Sequence, residues 1–131
     1  MNWSTLEFQA VKASTIADSI SVEQPRDGLA AAKAIIQSGG EAVTVSDREI
    51  LVAIPEMAST SGVFPEPAAA APWAGLKKMI LEQKVDPDEL VVCIVSGSGL
   101  KDITNAQTVV GKPEVIEPSL EAVSEFLLQV S

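Results

Sequence analysis

The chain has 131 residues, 47% hydrophobic and 21% charged, with a net charge of −9. That length suits one domain, 1–131, with a core that needs no staples, and the acidic balance argues against nucleic acid or anionic membrane as a partner, since both call for basic surface. One cysteine and no histidine exclude an intrachain disulfide framework and histidine acid–base chemistry, and they disfavour zinc. No apolar stretch is long enough to span a bilayer. The start, MNWSTLEFQ, lacks the basic opening and long apolar middle of a secretion signal. These features indicate a soluble cytoplasmic protein.

Residues 1–13 carry no clear pattern. Ser14–Val22 reads as a short strand or an extended loop. Pro25 and Asp27 open a helix with Leu29, Ala32, Ile35 and Ile36 at helical spacing, closed by Gly39-Gly40. Glu41–Ser46 is a short strand. Ser46 and Glu49 fit a capping box for the next helix, which carries Ile50, Leu51, Ile54, Met57 and Ala58 on one face. Pro55 implies a kink or an early stop in that helix, and Gly62 ends it.

Val63-Phe64 is a short extended piece, and Pro65-Glu66-Pro67 is non-helical because a residue before proline is pushed out of the helical region. Ala68–Gln83 is the clearest helix. Its regular part is expected to start near Pro72, with Leu76, Met79 and Ile80 inward and Lys77 and Lys78 on the wet face. After a polar turn at 85–89 comes the apolar run Leu90–Val95. Six apolar residues without alternation predict a central strand covered on both faces, with Cys93 as a small core residue. Ser96-Gly97-Ser98-Gly99 follows as a small-residue turn, then a helix or loop from Leu100 to about Val110, and a short strand at Glu114–Ile116. A last helix begins at Pro118-Ser119, with Leu120, Val123, Phe126, Leu127 and Val130 as its apolar stripe.

Strands alternating with helices place the chain in the α/β class, as a three-layer, mostly parallel sheet with helices on both faces. In such folds ligands bind at the carboxyl ends of strands. The SGSG turn after Leu90–Val95 is therefore the candidate ligand edge. Read from the residues alone, Ser96 is first a turn hydroxyl capping the next helix, the glycines serve a tight turn, and Glu66 is an exposed turn acid as readily as a site residue.

The segment Ser96–Asp102, SGSGLKD, resembles the TGSGLKD motif of threonine synthases, members of the β-family (fold-type II) of pyridoxal phosphate (PLP) enzymes. Four further stretches agree in the same order. They are TIADSI (Thr15–Ile20), the run from Gly40 to Ile50 (GEAVTVSDREI, like GGxAVxVSDxEI), GVFPEPAAAA (Gly62–Ala71, like GIFVEPASAA) and AGLKK (Ala74–Lys78). The resemblance runs from about residue 14 to the end and implies the C-terminal portion of such an enzyme. A serine/threonine dehydratase-like PLP lyase is the rival within the enzyme reading.

The resemblance implies that Ser96, where the family usually has threonine, faces the cofactor's pyridine nitrogen with its hydroxyl. It implies that Gly97 and Gly99 let the backbone approach the ring, and that Glu66 lies near the cofactor pocket. Where the family has serine after EPA, this chain has Ala69. The implied reaction is O-phospho-L-homoserine plus water giving L-threonine and phosphate.

The Schiff-base lysine and the glycine-rich phosphate loop such chemistry requires lie upstream in the family, and no SxKDR-like or GGGGN-like motif occurs here. The expectation is PLP in the complete enzyme, none held by this chain alone, no turnover by the isolated chain, and no catalytic residue within it. The expected partner is the missing N-terminal part of the enzyme or a second copy of the chain. The competing reading is a non-catalytic module that self-associates or binds a small anion at the SGSG turn.

Overall fold

The computed structural model describes residues 7–129. Among the described residues five α-helices follow one another: α1 Gly28–Ser38, α2 Asp47–Ser61, α3 Pro67–Leu81, α4 Ile103–Val110 and α5 Leu120–Gln129. Single 3-10 turns occupy Asp18–Ile20 and Gly99–Lys101. The core lies where α2 packs on α3, with α4 against α2. Ile50, Ala53 and Ile54 of α2 meet Ala68, Ala70 and Ala74 of α3, joined by Ala17 and Ala106. Alanines bring the α3 backbone close to its neighbours. At Gly75 a built Cβ would come within 3.0 Å of Val43.

Local chemistry sets the helix ends. The Ser46 hydroxyl accepts from the Glu49 N–H, and the Glu49 carboxylate accepts from the Ser46 N–H, so the expected capping box is formed. Of the two expected effects of Pro55, the early stop in α2 does not occur. The helix continues to Ser61 and closes on Gly62 in the left-handed region. Burial of Ile50, Ala53, Ile54 and Met57 on both sides of the proline offsets the backbone hydrogen bond it removes. Helix α3 starts five residues before Pro72, because Pro67 takes the first helical position, where a missing N–H costs nothing.

The expected three-layer parallel sheet is not formed. Among the described residues there is no strand, only one isolated antiparallel bridge between Pro65 and Ser98. Segments 41–46 and 90–96 stay outside regular structure and lie along α3 without pairing. The reason is physical: a strand is stabilised by ladder partners, and these runs have none within the described residues.

Leu90, Val92 and Ile94 are 93%, 82% and 74% exposed, whereas Cys93 on the alternate face is half-buried. The apolar run is thus largely uncovered, most strongly at Leu90, Val92 and Ile94, rather than covered on both faces. Glu114–Ile116 is likewise not a strand, and Val115 lies in solvent. Ser14–Val22 is an irregular segment holding the 3-10 turn.

The α3 face also differs from expectation. The residues it buries are Pro67–Ala70, Ala74 and Gly75; Leu76 and Met79 line an open groove, and Ile80 is half-exposed. Neither lysine is simply solvated. Lys78 donates to the Thr44 carbonyl at 2.7 Å, and Lys77 pairs with Glu56 of α2 at 2.5 Å. Of the expected α5 stripe, Val130 lies outside the described residues.

The Trp73 indole also donates to Glu56, at 3.3 Å, so one carboxylate ties two successive turns of α3 to α2. Chiefly through the Lys77 hydrogen bond, the Glu56 carboxyl is held below its ordinary 4.5. A depressed carboxylate stabilises the fold above its unfolded pKa and loses that contribution as pH falls through the folded value. The Glu56→Gln variant should therefore melt lower than wild type at neutral pH, by about 0.5–1 kcal/mol for a half-exposed pair. The gap should close as pH drops below 4.5. Thermal melts of both proteins across that range check this, and a gap independent of pH would reject it.

Candidate functional site

The SGSG turn is held from one side by the segment that leads into α3. The Glu66 N–H donates to the Gly97 carbonyl at 3.0 Å, and the Gly99 N–H donates to the Phe64 carbonyl at 2.8 Å. Pro65 sits between these bonds and is fully buried, a position where its missing donor costs nothing. Glu66 is the N-cap residue of α3 and, at 5% exposure, the one buried charged side chain among the described residues. Its carboxylate pairs with Lys101 at 2.9 Å. It is therefore not an exposed turn acid.

Both glycines are explained by packing within the chain. A Cβ on Gly97 would overlap the Glu66 carboxylate, and one on Gly99 would overlap the Phe64 ring. The capping that sequence reasoning allowed to Ser96 falls to its neighbours. The Ser98 hydroxyl accepts from the Leu100 N–H, and Asp102 caps α4 by accepting from the Asn105 N–H and side-chain amide. Ser96 closes the exposed run instead and lines the groove along α3.

That groove, about 760 Å³, runs between segments 43–45 and 91–94, with Ala71, Gly75, Leu76 and Met79 of α3 as its floor. Ser96 brings the one hydroxyl among its lining residues. Burial pushes the Cys93 thiol up from its ordinary 9.0, which works against thiolate formation. Elsewhere, Asp47 at the start of α2 accepts from the Thr15 hydroxyl and the Ile16 N–H, and so anchors the TIADSI stretch. A smaller cavity holds Asp18, Glu66, Lys101 and Asp102. No cluster of metal-ligating side chains occurs among the described residues.

The pairing of Glu66 with Lys101 was not anticipated from the sequence. The available signal was the spacing: Lys101 follows the turn by a single 3-10 turn, which carries it back over the EP segment.

Comparison with known proteins supplies the family. The sequence profile described as pyridoxal-phosphate dependent enzyme matches residues 4–97. The chain belongs to this family. It is 39% identical over 113 residues to the threonine synthase of Methanosarcina acetivorans, covering 86% of this chain and 28% of that protein. It is 40% identical over 116 residues to the threonine synthase of Methanocaldococcus jannaschii, covering 88% and 29%. With the Mycobacterium tuberculosis threonine synthase it shares 46% over 88 residues, 67% of this chain and 24% of that one. The chain thus spans under a third of the length of these relatives.

The family's cofactor is PLP, and the groove suits one part of it. The nitrogen-bearing edge and the flat aromatic face of its pyridine ring match apolar walls with a single hydroxyl, Ser96, which can donate or accept. No lysine lines the groove, and Lys77 and Lys78 are engaged by Glu56 and Thr44. The described residues therefore fit the ring side of the cofactor, not its phosphate or its lysine linkage. No helix among them is long and apolar enough to cross a membrane.

Proposed function

We infer that this chain is the C-terminal part of a threonine-synthase-like PLP lyase, acting in the cytoplasm, and that it supplies the pyridine-ring side of the site. The supporting observation is the Ser96 hydroxyl, released from capping by Ser98 and Asp102 and set on an apolar groove. The implied reaction converts O-phospho-L-homoserine and water to L-threonine and phosphate. Bound PLP supplies the electron sink for such bond changes.

The chain's own residues bind and orient. Ser96 would face the ring nitrogen with a neutral hydroxyl, which, unlike a carboxylate, would not hold a positive charge there. The apolar walls would lie against the ring face, and exclusion of water from it would be completed by the rest of the enzyme. Glu66, Gly97 and Gly99 keep the turn in place. The uncovered face of Leu90, Val92 and Ile94 and the unpaired backbone beside it fit a partner of matching apolar character. That partner is the remaining part of the enzyme, which brings the lysine and the phosphate loop.

The test is a visible spectrum. The isolated chain with added PLP should give no absorption band that survives dialysis. The same chain mixed with the N-terminal portion of a threonine synthase should give one and release phosphate from O-phospho-L-homoserine. A dialysis-resistant band from the chain alone overturns the reading.

A further inference from the structure

We propose that Glu66 and Lys101 form a positioning pair that locks the Ser96–Gly99 turn, so that Lys101, five residues after Ser96 and outside the groove, governs how the Ser96 hydroxyl is presented. The proposal deepens the ring-side reading above and rests on it. Three attachments converge on Glu66. Its N–H holds the Gly97 carbonyl, its carboxylate fills the space a Cβ would take at Gly97, and the same carboxylate reaches Lys101 at the far end of the turn. The Gly99 N–H to the Phe64 carbonyl adds a fourth tie on the other side of Pro65. The turn is thereby clamped at Gly97, Gly99 and Lys101, while Ser96, just before the clamp, keeps its hydroxyl for the groove.

Charge matters here because Glu66 is buried whereas Lys101 is largely exposed. A buried carboxylate that loses its cation must find water or move. Movement is constrained by α3, whose N-cap is Glu66. Opening towards water would loosen the Gly97 contact and free the turn. Other charges near the pair are Asp18 and Asp102, which share its small cavity. Both are acids, so neither can replace the lysine.

The experiment has two readouts. In the chain itself, Lys101→Met should raise amide hydrogen exchange at Glu66 and Gly99 by about three- to tenfold, while amides inside α2 stay unchanged. K101R should restore protection. In the PLP-loaded assembly with the N-terminal portion, K101M should shift the absorption and fluorescence of the bound cofactor, and K101R should return them. Unchanged exchange in K101M overturns the clamp. Raised exchange with an unmoved cofactor spectrum overturns its role towards Ser96. A wild-type assembly that takes up no PLP overturns the ring-side reading instead, and leaves the exchange result to judge the clamp by itself.

Discussion

Replacing Gly97 with alanine should destabilise the chain by about 2–3 kcal/mol, the range of overpacking in a filled site. The cost does not come from backbone strain, because Gly97 is not among the glycines with positive φ. It comes from the Glu66 carboxylate, which occupies the Cβ direction. A long side chain could swing aside at little cost on an open surface. Here it is buried, caps α3 and is paired to Lys101, so swinging aside breaks the pair and pulls on the helix start. Glu66→Ala alone should also destabilise, through loss of the ion pair and a small cavity. The E66A/G97A double variant should then be more stable than the sum of the two costs, by about 1 kcal/mol, because the alanine Cβ fills space the carboxylate has vacated. Denaturant melts of the four proteins give the coupling directly. Additive costs would show that Glu66 does not sit over Gly97.

The SGSGLKD stretch was legible as a site because its residue types carry chemistry: a hydroxyl, glycines, and a resemblance that fixed their order. Its internal wiring was not. That Glu66 rather than a ligand fills the space at Gly97, and Phe64 the space at Gly99, depends on a bridge between segments about thirty residues apart. Nothing local encodes such a contact. The capping roles illustrate the same limit. Ser96, Ser98 and Asp102 are all competent N-caps, and only the path of the turn decides that Ser98 and Asp102 serve while Ser96 is left over.

Helices were easier to read than strands, for a related reason. Helix hydrogen bonds are satisfied within the segment, so the Ser46–Glu49 box and Gly62 sufficed to place α2. Strand bonds are satisfied between segments. The apolar run Leu90–Val95 is a sound strand sequence, but its ladder must come from neighbours, and the described residues offer none to it. A two-faced apolar run with one face at 74–93% exposure is a mismatch between sequence and surroundings. The same mismatch supports a covering partner, since relatives are more than three times as long.

The second large effect lies in the core. Ile54 is the largest fully buried side chain among the described residues, at 1% exposure, and its cluster includes Ala53, Ala68, Ala70 and Ala74. The alanines of that cluster cannot extend to refill the space it leaves. Ile54→Ala should cost about 2–5 kcal/mol, towards the upper end for a site that cannot collapse. Domains of this size have only about 5–15 kcal/mol in hand, so the isolated variant should be substantially unfolded near body temperature by far-UV circular dichroism. Val92→Ser gives the opposite pattern. At 82% exposure it should leave the melting of the isolated chain within about 0.5 kcal/mol of wild type, yet weaken capture of the N-terminal portion in a pull-down with purified proteins. Equal destabilisation of the isolated chain by both variants would mean that the run 90–96 is part of the core. A Val92→Ser chain that assembles as well as wild type would mean that the uncovered face is not where the rest of the enzyme docks.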